Sequence, residues 1–498
     1  MQVKINNNTM YNNKYLKLFL VFFVPLFLVG ATLLVVIITQ GGQVTNNGIV
    51  NDKGILRIFT DPTNIGFTLY VDNKLTSLQN NSSVNIAAGE YDIRIETENY
   101  VPWEKKIIIS QGIVNEVYAK LFSNNLALSK ITTDNISRMF FSQNSEYLYY
   151  VVNDSQFPQA LGIWKLPLNN NSFIFFNQNQ KPTKFYDITD KKISAIVAGT
   201  YDIAPSDDGN KILLTDTKNK QYLVITNQQN LGGTSTSVLD ISETIGFEPQ
   251  AVKWMNNFNS LMIIQGNSIF EYNLINDVVT LIRLTTETAP IYAVNKNQTL
   301  VYDPVKKVLS TYKNQLLSGI LPNTIFPENI KNIYLADDND RFLFMQSESS
   351  WILLDLEQYT FKVLAPSEYT LLSVAPDGTS LIFRNIENNI LTVNIKEDIV
   401  GNKLEVTTGS FDIKFTDIKT VKYTAQPSLL LIQSKKDNFV YAYDNDGTNK
   451  VKLLDNPTVI DNFDFDNTGS NLYVLLVDET TPQNKTTSSN IYKVTLNK

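Results

Sequence analysis

The residues of this chain that could do chemistry are mostly acids gathered in short polar stretches. Asp464-Phe465-Asp466-Asn467-Thr468-Gly469 has the Asp-x-Asp spacing and glycine of a calcium loop, but lacks its third acidic position and distal bidentate glutamate. Asp337-Asp338-Asn339-Asp340 and Asp444-Asn445-Asp446-Gly447 are similar. Asp207-Asp208 is a carboxylate pair of the type used in glycoside hydrolysis, where one carboxyl must be buried to hold its proton. All four stretches fall where a recurring pattern places a hairpin tip, and Asp, Asn and Gly are the residues tight turns require. They therefore read as turns.

The chain has no histidine and no cysteine in 498 residues. This excludes Ser-His-Asp and Cys-His nucleophiles, imidazole and thiolate metal sites, disulfides and a lipidated cysteine. Ser and Lys are scattered without a paired motif, and Leu231-Gly232-Gly233 is too short for a phosphate loop. Asn80-Asn81-Ser82-Ser83 and Asn484-Lys485-Thr486 match glycosylation sequons at the rate an Asn/Ser/Thr-rich chain yields by chance. No catalytic, cofactor-binding or metal-ligating residue is assigned, and no cofactor is expected. A net charge of −7 repels phosphate backbones and argues against nucleic-acid binding.

The element that must position these turns is a repeated hairpin. Its clearest copy is residues 371–383, L-L-S-V-A-P-D-G-T-S-L-I-F, two apolar segments around Pro376-Asp377-Gly378. The second segment of each copy begins near Leu148, Ile212, Leu261, Leu300, Phe342, Leu381, Leu429 and Leu472. Most intervals are roughly 40 to 50 residues, the length of a four-stranded propeller blade. The polar turns before these segments include Gln143-Asn144-Ser145, Asn256-Asn257, Asn295-Lys296-Asn297 and Gln426-Pro427-Ser428. Third strands follow, such as Gly162-Ile163-Trp164-Lys165-Leu166, Trp351-Ile352-Leu353-Leu354-Asp355 and Phe439-Val440-Tyr441-Ala442-Tyr443. The last copy lacks a fourth strand, while Leu126-Ala127-Leu128-Ser129-Lys130-Ile131 stands unattached before the first. Joining them closes a ring and removes a free sheet edge. Residues 123–498 are expected to form a β-propeller of eight blades, with seven as the alternative. At the level of the S-x-D-G hairpin, the repeat resembles the TolB-like and WD40-like propellers.

Residues 54–122 read as a small β-sandwich. Gly54-Ile55-Leu56-Arg57-Ile58-Phe59 alternates into a strand ended by Asp61-Pro62; Phe67-Thr68-Leu69-Tyr70-Val71 follows and turns at Asp72-Asn73. After a polar turn region, Tyr91, Ile93 and Ile95 share one face of a third strand, with Asp92, Arg94 and Glu96 on the other. Asn99-Tyr100-Val101-Pro102-Trp103 makes a corner before two closing strands, and its aromatics are expected in the core. The order G-I-L-R-I-F, D-P, L-Y-V-D-N, A-A-G-E-Y-D-I-R-I, N-Y-V-P-W resembles the PEGA domain family, with P-T-N-I-G at 62–66 in place of the naming motif and Asn73 where glycine is usual. The resemblance implies an accessory extracellular module of a bacterial or archaeal surface protein and supplies no catalytic residues.

Residues 1–17 carry Lys4, Lys14 and Lys17 and no acid; residues 18–38 then run uncharged. As a helix this run spans roughly 31 Å, enough to cross a bilayer, and Pro25 is tolerated there. The flanking charge places 1–17 in the cytoplasm, 18–39 in the membrane as a signal anchor, and the rest outside. Val29 and Ala31 suit a signal-peptidase cut, but the apolar run continues past them. Residues 40–53 read as a flexible Gly/Asn-rich linker.

The expected protein is thus single-pass, almost entirely β outside its anchor. Its partners are the lipid bilayer through 18–39 and an envelope protein or glycan engaged by the propeller. The alternative is a carboxylate-dependent glycan hydrolase or lyase with its site in the central funnel; a third is self-association at the cell surface. Whether carboxylates converge in the funnel or stay in the turns separates the first two.

Overall fold

The computed structural model describes residues 14–39, 43–45, 48–50, 53–63, 65–76, 83–152, 160–168, 181–188, 201–216, 218–227, 236–255, 258–284, 291–295, 297–313, 316–321, 329–398, 403–424, 428–455, 459–478 and 488–496. The chain divides into two compact units, Met1–Asn125 and Leu126–Lys498.

The first unit opens with a helix, α1 (Lys14–Thr39), which contains Pro25. Phe19, Phe23 and Phe27 recur every fourth residue and stack at 4.7 and 6.2 Å between successive rings, all solvent-exposed. Among the described residues, no helix is long and apolar enough to cross a membrane; the described side chains of α1 are 19, 21–32 and 35. Within the expected linker, Gln43–Thr45 and Gly48–Val50 pair as an antiparallel two-stranded ladder.

A sandwich follows. Lys53–Asp61 lies between Ser83–Ala87, antiparallel to it, and Val114–Lys120, parallel to it. The facing sheet runs Lys74–Thr76, Thr68–Val71, Gly89–Glu96, Trp103–Ile109. Strand alternation buries Leu56 and Ile58 from one sheet against Leu69, Ile93 and Ile95 from the other. Asp72 and Asn73 sit at φ 48° and 61°, the left-handed pair a two-residue hairpin needs. Tyr100 and Trp103 are core residues, as expected. The polar turn region is corrected: it contains the strands Lys74–Thr76 and Ser83–Ala87. In the latter, Val84 and Ile86 alternate onto the core, in a segment too short and too polar at its flanks to stand out.

The second unit contains eight four-stranded antiparallel sheets among its described residues. The first strands, in sheet order, are Ile136–Phe141, Asp202–Pro205, Ala251–Met255, Ile291–Val294, Asn332–Ala336, Thr370–Val374, Ile418–Tyr423 and Val459–Phe465. In sheets one to seven the four strands pair in chain order. The eighth has only Val459–Phe465, Asn471–Val477 and Ser489–Thr495 from the C-terminus; its fourth strand is Ala127–Lys130, with Ala127 opposite Thr495 and Lys130 opposite Tyr492. The Ile131 amide donates to Ile491 O at 2.8 Å and extends the ladder. The closure read from the sequence is therefore present.

Successive sheets pack face to face through separate apolar cores. Tyr149 and Ile163 of the first meet Ile212 and Leu223 of the second. Leu343 and Ile352 of the fifth meet Leu300 and Leu309 of the fourth. Ile432 and Tyr443 of the seventh meet Ile382 and Ile390 of the sixth. Tyr473, Leu475 and Ile491 of the eighth pack on Met139 and Leu148 of the first, so the series returns on itself. Sequential four-stranded sheets joined in this way make a β-propeller. A short helix, α2 (Ile241–Ile245), joins the second and third sheets, capped by Asp240 and ended by Gly246 at φ 77°.

Candidate functional site

Three of the four acidic stretches lie at the turns between first and second strands; Asp444-Asn445-Asp446-Gly447, expected at the same place, instead joins the third and fourth strands of the seventh sheet, Val440–Asp444 and Val451–Leu454. At these turns the acids bind their own turn or the neighbouring sheet. Asp207 Oδ1 accepts the Asn144 amide of the first sheet at 3.0 Å. Asp208 accepts the Ser206 hydroxyl and the Asn210 amide, with Lys211 Nζ at 3.4 Å. Burial alone would raise the Asp208 carboxyl; the Ser206, Asn210 and Lys211 contacts outweigh it and hold it below the ordinary carboxylate range. A general acid for glycoside hydrolysis needs the reverse.

Asp466 closes its own loop, accepting from Thr468 Oγ1 at 2.9 Å, the Ser470 amide at 2.9 Å and Asn471 Nδ2 at 2.7 Å. Asp464 instead meets Lys422 Nζ of the seventh sheet at 2.9 Å, so the Asp-x-Asp pair serves two different partners. Asp340 Oδ1 accepts from Asn295 Nδ2 at 3.0 Å and Asn297 Nδ2 at 3.3 Å, tying fifth sheet to fourth. Asp446 accepts from Thr448 and Asp444 from Asn449. Among the described residues, no three acidic side chains gather as a metal site would require. Asn256-Asn257, Lys296, Gln426-Pro427, Leu231-Gly232-Gly233, Asn80-Asn81-Ser82 and Asn484-Lys485-Thr486 lie outside the described residues.

The turn at Pro376-Asp377-Gly378 shows what these tips do. Gly378 sits at φ 71°, and a Cβ there would lie 3.2 Å from both the Ala336 methyl and Asn339 Nδ2 of the fifth sheet. The Asp338 amide donates to Pro376 O at 2.8 Å, and Asn339 Nδ2 to Asp377 O at 2.6 Å. Glycine provides both the left-handed backbone and the close approach that lets one sheet hold the next.

The first strands of the sheets border the central channel. Phe141, Ala204, Trp254, Val294 and Asp337, from five successive sheets, enclose a space of about 250 Å³. A second space of about 530 Å³ lies along the third to fifth sheets against Lys253, Tyr292, Lys331 and Tyr334. Lys253 Nζ stands 5.4 Å from the centre of the Tyr292 ring. Solvent reaches Lys253, yet the surrounding walls remove enough water to bring its ammonium below the usual lysine range. Trp254 Nε1 donates to Ala204 O at 2.7 Å and links third sheet to second. Arg138 lies 4.9 Å from the rings of both Phe140 and Tyr201 and donates to Tyr201 O. Lys422, besides its ion pair with Asp464, stands over Phe141 and Phe463 and so touches the first and eighth sheets.

Apart from Asp337 and Asp464, which belong to the acidic stretches, these residues did not stand out in the sequence as a site. The available signal was a lysine inside an otherwise apolar first strand, as in Ala251-Val252-Lys253-Trp254-Met255; Lys422 lies in the more polar strand Ile418–Tyr423, which also carries Lys419 and Thr420, and had no such signal.

The fold and its channel define a two-part β protein: a small sandwich and a β-propeller. Residues 53–125 match the model of the PEGA domain, in agreement with the resemblance drawn from 54–122. No curated protein matches the chain. Among solved structures, an oligogalacturonate lyase from Vibrio parahaemolyticus is similar at a TM-score of 0.37 and 9% identity, over 73% of this chain and 98% of that one. The Cps50 (Swd1) β-propeller domain from Myceliophteria thermophila is similar at 0.38 and 9%, over 74% and 99%.

Proposed function

We propose that the protein is a single-pass, membrane-anchored binding or scaffold protein, with its N-terminus in the cytoplasm and its PEGA domain and propeller outside. The anchor is residues 18–39, uncharged and preceded by Lys14 and Lys17. The propeller, of the TolB-like or WD40-like kind, has eight blades closed by residues 127–130. It engages an envelope protein or glycan and performs no chemistry of its own. One observation carries this reading: the acidic residues that could have catalysed are engaged in closing their own turns or in holding sheet to sheet, while a channel surface carries lysines and aromatic rings. A carboxylate-dependent glycan hydrolase is disfavoured because Asp208, its candidate general acid, is held below the ordinary carboxylate range rather than above it.

The test has two parts. The full chain should stay with membranes through a high-salt wash, and protease added to wall-stripped cells should digest everything beyond the anchor. Capture from envelope extract should then return one protein or glycan. Release by salt, or protection of the propeller from external protease, would overturn the topology.

A further inference from the structure

The larger of the two channel spaces combines lysines with tyrosine rings. Its lining residues come from the first strands of the third, fourth and fifth sheets and the residue before the last of these. The charged residues among them are two lysines, Lys253 and Lys331, with no Asp or Glu, in a chain of net charge −7. Neither lysine is in an ion pair among the described residues. Lys253 is steadied by the Tyr292 ring at 5.4 Å rather than by a carboxylate. Tyr292 and Tyr334 stand on neighbouring first strands, and Asn332 adds an amide on the same wall. A space of about 530 Å³ is the size of a small-molecule site.

We infer that this cavity binds a small anion carried on a ring-sized, hydroxylated body, with a carboxylate or phosphate group held between Lys253 and Lys331. A partly desolvated ammonium with no carboxylate partner among the described residues gains a charge-assisted hydrogen bond when an anion enters. The tyrosine rings offer flat apolar faces to the body of the ligand, and their hydroxyls and the Asn332 amide offer polar contacts at its rim. A neutral ligand of the same shape leaves both lysines uncompensated. The inference rests on reading the propeller as a binding module and names the chemistry of what the channel accepts.

The test is calorimetric titration of the full-length chain in detergent micelles with glucuronate, glucose 6-phosphate and glucose. At least one anion should bind saturably, one per chain, and more tightly than glucose by about tenfold or more. Which anion binds separates a carboxylate from a phosphate source. Lys253→Met and Lys331→Met should each weaken that anion by about tenfold. Lys362→Met, an exposed lysine on an outer strand, should leave it unchanged, and Lys253→Arg should retain binding. The arginine variant keeps the test decisive if Lys253→Met fails to fold. Anions binding no better than glucose, or Met variants at both sites binding as wild type, would overturn the site. If anions fail while an envelope partner is still captured, this site falls and the binding reading stands. If anions bind and nothing is captured, the site stands without it.

Discussion

Ring closure can be broken at one amide. Register pairs Ser129 with Lys493, and the Ile131 amide bonds Ile491 O at 2.8 Å. Alternation along an antiparallel strand therefore points the Ser129 amide into the ladder and the Leu128 amide away from it. Proline at 129 removes that donor and wedges its ring against the partner strand, whereas proline at 128 removes an N–H on the open edge. The side chains of Leu128, Ser129 and Lys130 are exposed, so the ladder, the Lys130–Asp478 ion pair at 2.6 Å, the Thr132 hydroxyl that accepts the Ile491 amide at 2.9 Å and the packing of Ile131 carry the attachment. Ser129→Pro is expected to cost about 3 kcal/mol, and Leu128→Pro less than about 1 kcal/mol. With an unfolding entropy of about 2.1 cal/mol/K per residue over roughly 370 residues, 3 kcal/mol lowers Tm by about 4 °C. Thermal unfolding followed by circular dichroism measures the shift. Limited proteolysis should find a new cut near residue 125 in Ser129→Pro alone. Equal Tm values for the two proline variants, with no new cut, would refute closure by this strand.

Other outcomes follow from individual contacts. Gly378→Ala should cost about 1–2 kcal/mol in thermal or denaturant unfolding, because alanine disfavours the left-handed backbone and its methyl crowds Ala336. Lys422→Met leaves Asp464, only 15% exposed, without its ammonium and should destabilise by about 1–3 kcal/mol; adding Asp464→Asn should recover part of that loss. Asp355 is fully buried and held by Arg341 Nη2 at 2.7 Å. Burial would raise its carboxyl, but Arg341 and the Glu357 and Gln358 amides outweigh it and keep it below the ordinary range. The stability it provides is present at neutral pH and lost as pH falls through its depressed folded value. Arg341→Met should therefore cost about 3 kcal/mol at pH 7, and its Tm deficit should shrink as pH is lowered through 4 and below.

The parts of the fold legible in the sequence were those set by local spacing. Residues 371–383 gave the strands Thr370–Val374 and Ser380–Arg384 with glycine at the left-handed turn position. Residues 126–131 gave the closing strand because an unpaired segment at one end matched a vacancy at the other. Short strands with mixed flanks were not legible. Lys74–Thr76, Ser83–Ala87 and the pair at Gln43–Thr45 and Gly48–Val50 lack enough apolar alternation to declare themselves. The third strand of the fourth sheet, Val308–Lys313, follows the lysine pair Lys306-Lys307 and was likewise not marked. The channel was hidden for a different reason. Lys422 meets Asp464, and Lys253, Tyr292 and Lys331 line one space, only because the ring brings successive first strands together. Asp208 and Asp466 bind within their own turns, as turn chemistry suggests, but the partners of Asp207 and Asp340 lie one sheet away and no local pattern names them.

The central claim is that the channel is the binding surface and the acidic turns are structural. It is tested most directly by comparing capture of the envelope partner by the full-length chain carrying Lys253→Glu with capture by the chain carrying Asp377→Asn. Loss of the partner with Lys253→Glu and its retention with Asp377→Asn is the predicted result; retention with Lys253→Glu and loss with Asp377→Asn would contradict it.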